Sequence, residues 1–196
     1  KISEYIFSKD VKILSVFAFS TENWKRDKEE VDFLMNLFLK SFKDNFDSLK
    51  KKGVKIIFSG VKYKLDKKVI SAMEKMMNET KNNTNGIFNI CLNYGGRSEI
   101  VEATKKICKD VSDNKIKEED ITEELFNKYL FHDLPPIDLM IRTSKEYRIS
   151  NFMLWQMAYA ELYFTNILWP DFDDKEFDKA IEAYNNRDRR FGSIKK

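Results

Sequence analysis

The stretch VKILSVFAF, Val11 to Phe19, is nine residues of almost unbroken apolar sequence. A run of that length with so little polar alternation reads as a strand covered on both faces. Beyond it, Val31, Leu34, Met35, Phe38, Phe42, Phe46 and Leu49 recur at helical spacing, with lysines and aspartates between them. That pattern predicts a helix from Glu29 to Lys52, ended by Gly53. VKIIF (Val54 to Phe58) is a second strand and Asp66 to Asn78 a helix. GIFNICLNY (Gly86 to Tyr94) is a third strand, with a helix starting near Arg97. Thr122, with Glu124 and Leu125, opens another helix; IDLMI (Ile137 to Ile141) is a fourth strand and ELYFT (Glu161 to Thr165) a fifth. Asp173 to about Arg190 is the last helix, and KISEYIFSKD, before the first strand, reads as the end of a helix. The alternation predicts an α/β fold: a single domain with a mostly parallel central sheet flanked by helices.

Composition narrows the function. With 196 residues the chain can bury one sizeable core. Its 35 basic residues face 32 acidic ones, a net charge of +3, which argues against a general nucleic-acid binder. Any phosphate recognition must then be local. Cys91 and Cys108 are too few for a disulfide framework and lack zinc-site spacing, which points to an intracellular, reducing compartment. With His132 the only histidine, a metal would have to be held by oxygen ligands. No apolar run approaches membrane-spanning length, and KNNTN (Lys81 to Asn85) reads as a polar connector.

In parallel sheets, ligands bind beyond the carboxyl ends of the strands. Three polar clusters fall there: STENWKR after the first strand, NYGGR after the third and RTSKEYRIS after the fourth. In FSTENWKR, Ser20 or Thr21 could cap a helix with Glu22 or Asn23 in its first turn, but Trp24 and Arg26 exceed what capping needs. The glycines of NYGGRSEI fit either a tight strand-to-helix turn or a loop bringing amides close to an anion. Two arginines in a turn, Arg142 and Arg148, are most often solvated surface. Arginine is also the side chain best shaped to fork onto phosphate, and with the Ser150 hydroxyl the pair could clamp a diphosphate. Ser150 or Asn151 could equally cap a following helix. Glu161, among Tyr159, Ala160, Leu162 and Tyr163, needs either a salt bridge or a magnesium ion shared with a diphosphate.

FAFSTENWKR, NYGGRSEIV, IDLMIRTSKEYRISNFMLWQMAYAELYFTNILWPDF and NNRDRRFG together resemble the cis-prenyltransferases, collinearly over almost the whole chain. The resemblance implies a homodimeric, magnesium-dependent α/β enzyme. Such an enzyme adds isopentenyl diphosphate units in cis to an allylic diphosphate such as farnesyl diphosphate. The growing polyprenyl chain would lie in a hydrophobic tunnel, and peripheral membrane contact would follow from the product. Residue by residue, it places Arg142, Arg148, Ile149 and Ser150 on isopentenyl diphosphate and Glu161 with magnesium. Ser20, Asn23, Trp24 and Arg26 would line the reaction centre, with Thr21 and Glu22 on substrate, and Asn23 would assist proton removal. Arg190 and Gly192 would reach a partner's diphosphate across the dimer. Ala18 would let longer acceptors pass, and Phe88, at the tunnel floor, would limit product length.

Two departures accompany the resemblance. The family's first strand carries an Asp-Gly-Asn-x-Arg motif, with a metal-binding aspartate and an arginine for the allylic diphosphate; residues 1–196 contain none. The expectation is that the segment lies upstream. Lys145 stands where the family usually has glycine, either strained there or adding charge beside the diphosphate. The rival expectations are a non-catalytic subunit of a heteromeric prenyltransferase and a generic phosphate-binding module.

Overall fold

The computed structural model describes residues 1–44 and 46–188. Helix α1 (Ile2–Ser8) leads into β1 (Ile13–Ser20). There follow α2 (Lys28–Asp44), α3 (Asp47–Lys51), β2 (Val54–Ser59), α4 (Lys67–Thr80), β3 (Gly86–Tyr94) and α5 (Gly96–Ser112). The chain continues through α6 (Glu123–Tyr129), β4 (Leu139–Arg142), β5 (Glu161–Phe164) and α7 (Asp174–Asn185). The strand and helix sites are those the periodicity marks, except that the long helix expected from Glu29 is two, α2 and α3. After the arginine loop, residues 152–159 form turns in place of a helix.

Every strand pairing is parallel, as expected for an α/β domain. The strands form a three-stranded sheet in the order β1-β3-β2 and a two-stranded sheet β4-β5. β1 shows why a strand covered on both faces lacks alternation. Leu14, Val16 and Ala18 pack on a core with α2 and α4, while Ile13 and Phe17 pack on a second core with Met140, Met153 and Met157. Within the three-stranded sheet, a polar relay crosses all strands. Ser59 Oγ donates to Asn89 Oδ1 at 2.8 Å, and Asn89 Nδ2 donates to Ser15 Oγ at 3.1 Å. Because these groups, of which Ser59 and Asn89 are buried, satisfy one another, their hydrogen bonds offset the cost of desolvation and help to fix register.

KNNTN proves more than a connector. Asn83 Nδ2 donates to the Val54 carbonyl (2.9 Å) and Asn85 Nδ2 to the Lys52 carbonyl (2.8 Å), tying the loop to the α3–β2 junction. Gly53 there has φ +73, the left-handed helix end that glycine favours.

Between the two sheets lies a cavity of about 820 Å³. Residues 10–17 and 134–144 line it without a gap in sequence. A strand face would contribute only alternate residues, so the cavity runs along the open edges of β1 and β4. No helix among the described residues is long and apolar enough to cross a membrane.

Candidate active site

The three polar clusters occupy the carboxyl ends of β1, β3 and β4, and β1 and β3 are aligned there through Ser20 and Tyr94. After β1, residues Thr21–Lys25 form a 3-10 turn. Asn23 turns back so that its Oδ1 accepts from the Ser20 N–H at 2.9 Å. Trp24 Nε1 donates to Asn93 Oδ1 at 2.7 Å, and Asn93 Nδ2 donates in turn to the carbonyls of Val61 and Tyr63. Asn93 thus docks the indole against the β2–α4 loop, from a left-handed backbone (φ +52) that asparagine tolerates. Arg26 pairs with Glu30 one helical turn on, at 2.6 Å.

Asn151 joins these loops. Its Oδ1 accepts from the Arg97 N–H at 2.9 Å, its Nδ2 donates to Glu22 Oε1 at 2.9 Å, and its carbonyl accepts from the Gly96 N–H at 2.7 Å. Of the residues expected to cap a helix after the arginine loop, Asn151 instead caps α5, on a different strand's loop. The amides of Gly96 and Arg97 are therefore engaged by Asn151, which answers the open question about NYGGR. The glycines serve close packing: a Cβ on Gly95 would stand 2.6 Å from Thr21 Oγ1, and one on Gly96 2.7 Å from Leu154 Cγ. Burial works against ionising Glu22, yet hydrogen bonds from Asn151, its own backbone, Thr21 and Ser20 outweigh it and hold the carboxyl below its ordinary pKa. Thr21 and Glu22 thus face protein partners at this junction.

Arg142 and Arg148 both line the cavity between the sheets, together with Ile149. Arg148 pairs with Glu146. Arg142, at the end of β4, has no carboxylate within ion-pair distance among the described residues. The chain around and after them is backbone-strained: Ser144 (φ 70) and Lys145 (φ 58) between the arginines, and Ser150 (φ 49), Asn151 (φ 62) and Met153 (φ 38) beyond Arg148, all lie in the left-handed region. Strain of this kind, concentrated in one loop, persists only where surrounding contacts fix it, and it gathers at ligand clamps.

Glu161 stands apart from the arginine end of the sheet. It is level with Leu139, and Arg142 with Phe164. The carboxylate therefore starts its strand about 10 Å along the sheet from the arginine. Its Oε2 accepts from Arg187 Nη1 at 2.8 Å, the salt bridge that an acidic group in an apolar setting calls for. No three Asp, Glu, His or Cys side chains converge on a metal-sized site among the described residues. These residues do not by themselves make a magnesium site. Ala18 and Phe88 belong to the same core but not to the same level of the sheet: Phe88 is opposite Leu14, four residues before Ala18, and its ring lies 5.9 Å from Phe46 and 6.4 Å from Phe7. Arg190 and Gly192 fall outside the described residues.

Polar clusters at the carboxyl ends of parallel strands, one of them carrying two arginines, are where an α/β enzyme of the phosphate-handling class places its site. The family described as putative undecaprenyl diphosphate synthase matches residues 1–192, and the chain belongs to this family, the cis-prenyltransferases. An isoprenyl transferase of Fusobacterium nucleatum is 52% identical over 195 residues, covering 100% of this chain and 82% of the relative. One of Streptococcus pneumoniae strain R6 is 51% identical over 189 residues, covering 94% and 75%. The lavandulyl diphosphate synthase of Lavandula x intermedia, solved with dimethylallyl diphosphate, superposes with TM-score 0.92 at 32% identity, over 98% of this chain and 84% of that one. A probable undecaprenyl diphosphate synthase of Campylobacter jejuni gives 0.87 at 34% identity, over 97% and 88%.

Proposed function

We propose that the protein is a prenyl-chain-elongating transferase, joining isopentenyl diphosphate units in cis to an allylic diphosphate to give a polyprenyl diphosphate. The observation that carries this is the pair Arg142 and Arg148, one ending β4 and the other in the loop after it, beside the carboxyl ends of parallel strands. Relatives called isoprenyl transferase, about half identical over nearly the whole chain, support an enzyme. They lend nothing to a non-catalytic subunit.

In this reading Arg142, Arg148 and Ser150 hold the diphosphate of isopentenyl diphosphate, Arg142 with its full fork and Arg148 by exchanging Glu146 for phosphate. The apolar tunnel of this reading would keep water from the allylic cation formed when its diphosphate departs. Holding both substrates here makes carbon–carbon bond formation effectively intramolecular. The Ser20–Arg26 turn, none of whose residues lines the cavity between the sheets, would form a further wall of the reaction centre. Asn23, whose side-chain carbonyl accepts from the Ser20 N–H and so shapes this turn, would assist proton removal. Thr21 and Glu22 act on substrate through the loop contacts they make. A magnesium requirement is carried as part of the proposal, the ion arriving with a diphosphate.

The open edges of β1 and β4 give a seat to the strand expected to carry the Asp-Gly-Asn-x-Arg motif, since one parallel strand added there would join the two sheets. Residues 1–196 would then form one domain together with it. A hydrophobic tunnel past Ala18 toward Phe88, a homodimer completed by Arg190 and Gly192, and membrane contact through the product belong to the same reading.

The test is Arg142→Lys. Losing the fork should weaken isopentenyl diphosphate binding by about tenfold or more while the melting temperature is retained. Unchanged affinity would reject the clamp.

A further inference from the structure

Among the described residues no backbone ladder joins β4-β5 to the three-stranded sheet, and the arginine loop meets the other two loops through contacts that Asn151 makes with its side chain and its carbonyl. We infer that Asn151 is the positioning residue of this junction, holding Arg148 and Ser150 in register with the loop after β1 through its bond to Glu22. The inference rests on the reading above, that this loop binds isopentenyl diphosphate.

Asn151 belongs to the β4 side and makes a contact to each of the other two ends. Nδ2 reaches Glu22 after β1, while Oδ1 and the main-chain carbonyl reach Arg97 and Gly96 after β3. The amide is used at both ends, one as donor and one as acceptor, which neither aspartate nor alanine reproduces. The bond to Glu22 is charge-assisted, because the carboxylate is held ionised. The neighbouring chain makes room for it: a Cβ on Gly95 would stand 2.9 Å from Asn151 Nδ2, and one on Gly96 3.1 Å from the Asn151 carbonyl oxygen. Its own φ of +62 stands next to Ser150 at +49, so these bonds hold the left-handed conformation beside the serine assigned to isopentenyl diphosphate. A small pocket of about 290 Å³, lined by Glu22, Arg97, Ile149, Asn151 and Leu154, lies beside the junction, so the loop has space to shift once the bond is broken.

The polarity of the pair supplies the test. In Asn151→Asp, the new carboxylate keeps the acceptor for Arg97 but faces Glu22, and the two charges repel. Adding Glu22→Gln returns a donor to the contact with the direction of the bond reversed. Isopentenyl diphosphate and allylic diphosphate affinities are measured by calorimetry at pH 7.5, with melting temperatures, for Asn151→Asp, Glu22→Gln and the double variant. The expected result is a loss of about tenfold in isopentenyl diphosphate affinity for Asn151→Asp, the size of one charge-assisted bond. Allylic affinity should stay unchanged, and the double variant should return to within about threefold of Glu22→Gln alone. A double variant as weak as Asn151→Asp overturns the inference. So does an Asn151→Asp loss that falls equally on both substrates and follows the melting temperature. If the unaltered protein fails to bind isopentenyl diphosphate, the functional reading itself falls. Binding without rescue removes only the role of Asn151.

Discussion

Lys145→Gly separates backbone strain from charge in the arginine loop. Lys145 has φ +58, a conformation that costs a non-glycine residue about 1–2 kcal/mol. Its N–H donates to the Thr165 carbonyl (3.2 Å) and the Ser144 N–H to the Ile167 carbonyl (2.8 Å), bonds that hold the loop and need no side chain. Glycine keeps both and releases the strain, but loses about 0.4–1 kcal/mol through its freer unfolded state. The net is a gain of about 0.5–1 kcal/mol. For a chain of this size, where 1 kcal/mol moves the midpoint by about 2–4 °C, the melting temperature should rise by about 1–4 °C. The lysine ammonium is exposed and screened, so isopentenyl diphosphate affinity should fall by less than about threefold. Scanning calorimetry reads the first quantity and titration calorimetry the second. A lowered melting temperature would refute the strain argument. A large, salt-sensitive loss of affinity would show that the lysine works as a phosphate ligand.

Three further outcomes are expected. Phe88→Ala should destabilise the protein by about 3–5 kcal/mol, because the ring is buried between Phe7 and Phe46, and should lengthen the products; product analysis showing no longer chains contradicts the tunnel-floor role. Gly95→Ala should cost about 1–3 kcal/mol through the clash with Thr21 Oγ1, since its φ of −160 suits any residue; adding Thr21→Ala should restore part of that, and no restoration would place the cause elsewhere. His132, whose Nε2 lies 2.9 Å from the Phe58 carbonyl oxygen, has its pKa pushed down chiefly by burial. The unfolded chain therefore takes up the proton first, and the stability that His132 contributes is full above pH ~6.5 and declines as pH falls toward the lowered folded value. Urea midpoints at pH 7.5 and 5.5 should show a larger drop for the unaltered protein than for His132→Gln, and equal drops would refute the assignment.

The elements were legible because their signals are local. The unbroken apolar run of β1 needs only its own residues to declare two covered faces, and Asp66, Thr122 and Asp173 mark helix starts by side chains that do accept from the first turn. The division of the long helix into α2 and α3 was not legible, since Phe42, Phe46 and Leu49 keep the helical period across the break. Nor was the separation of the sheets. Which strand lies beside which is a long-range fact, and IDLMI reads the same with an open edge as with a paired one.

The site divides along the same line. That polar clusters gather at the strands' carboxyl ends follows from the order of elements, so Arg142, Arg148 and Trp24 could be singled out from sequence. What each polar group does depends on its partner, and the decisive partners are distant: Glu22 with Asn151, Trp24 with Asn93, Glu161 with Arg187. Arg187 carries no signal linking it to Glu161. Asn151 carried one, as an asparagine directly after Ser150, but as a cap its natural target was the next helix. The structure gives it α5 instead, because residues 152–159 turn rather than coil and the glycines of α5 leave a Cβ-free seat. Asparagine, with one donor end and one acceptor end on a short stem, can bridge an ionised carboxylate and a helix amide at once. The arginines are the visible part of this clamp, and its alignment depends on a neutral residue beside them.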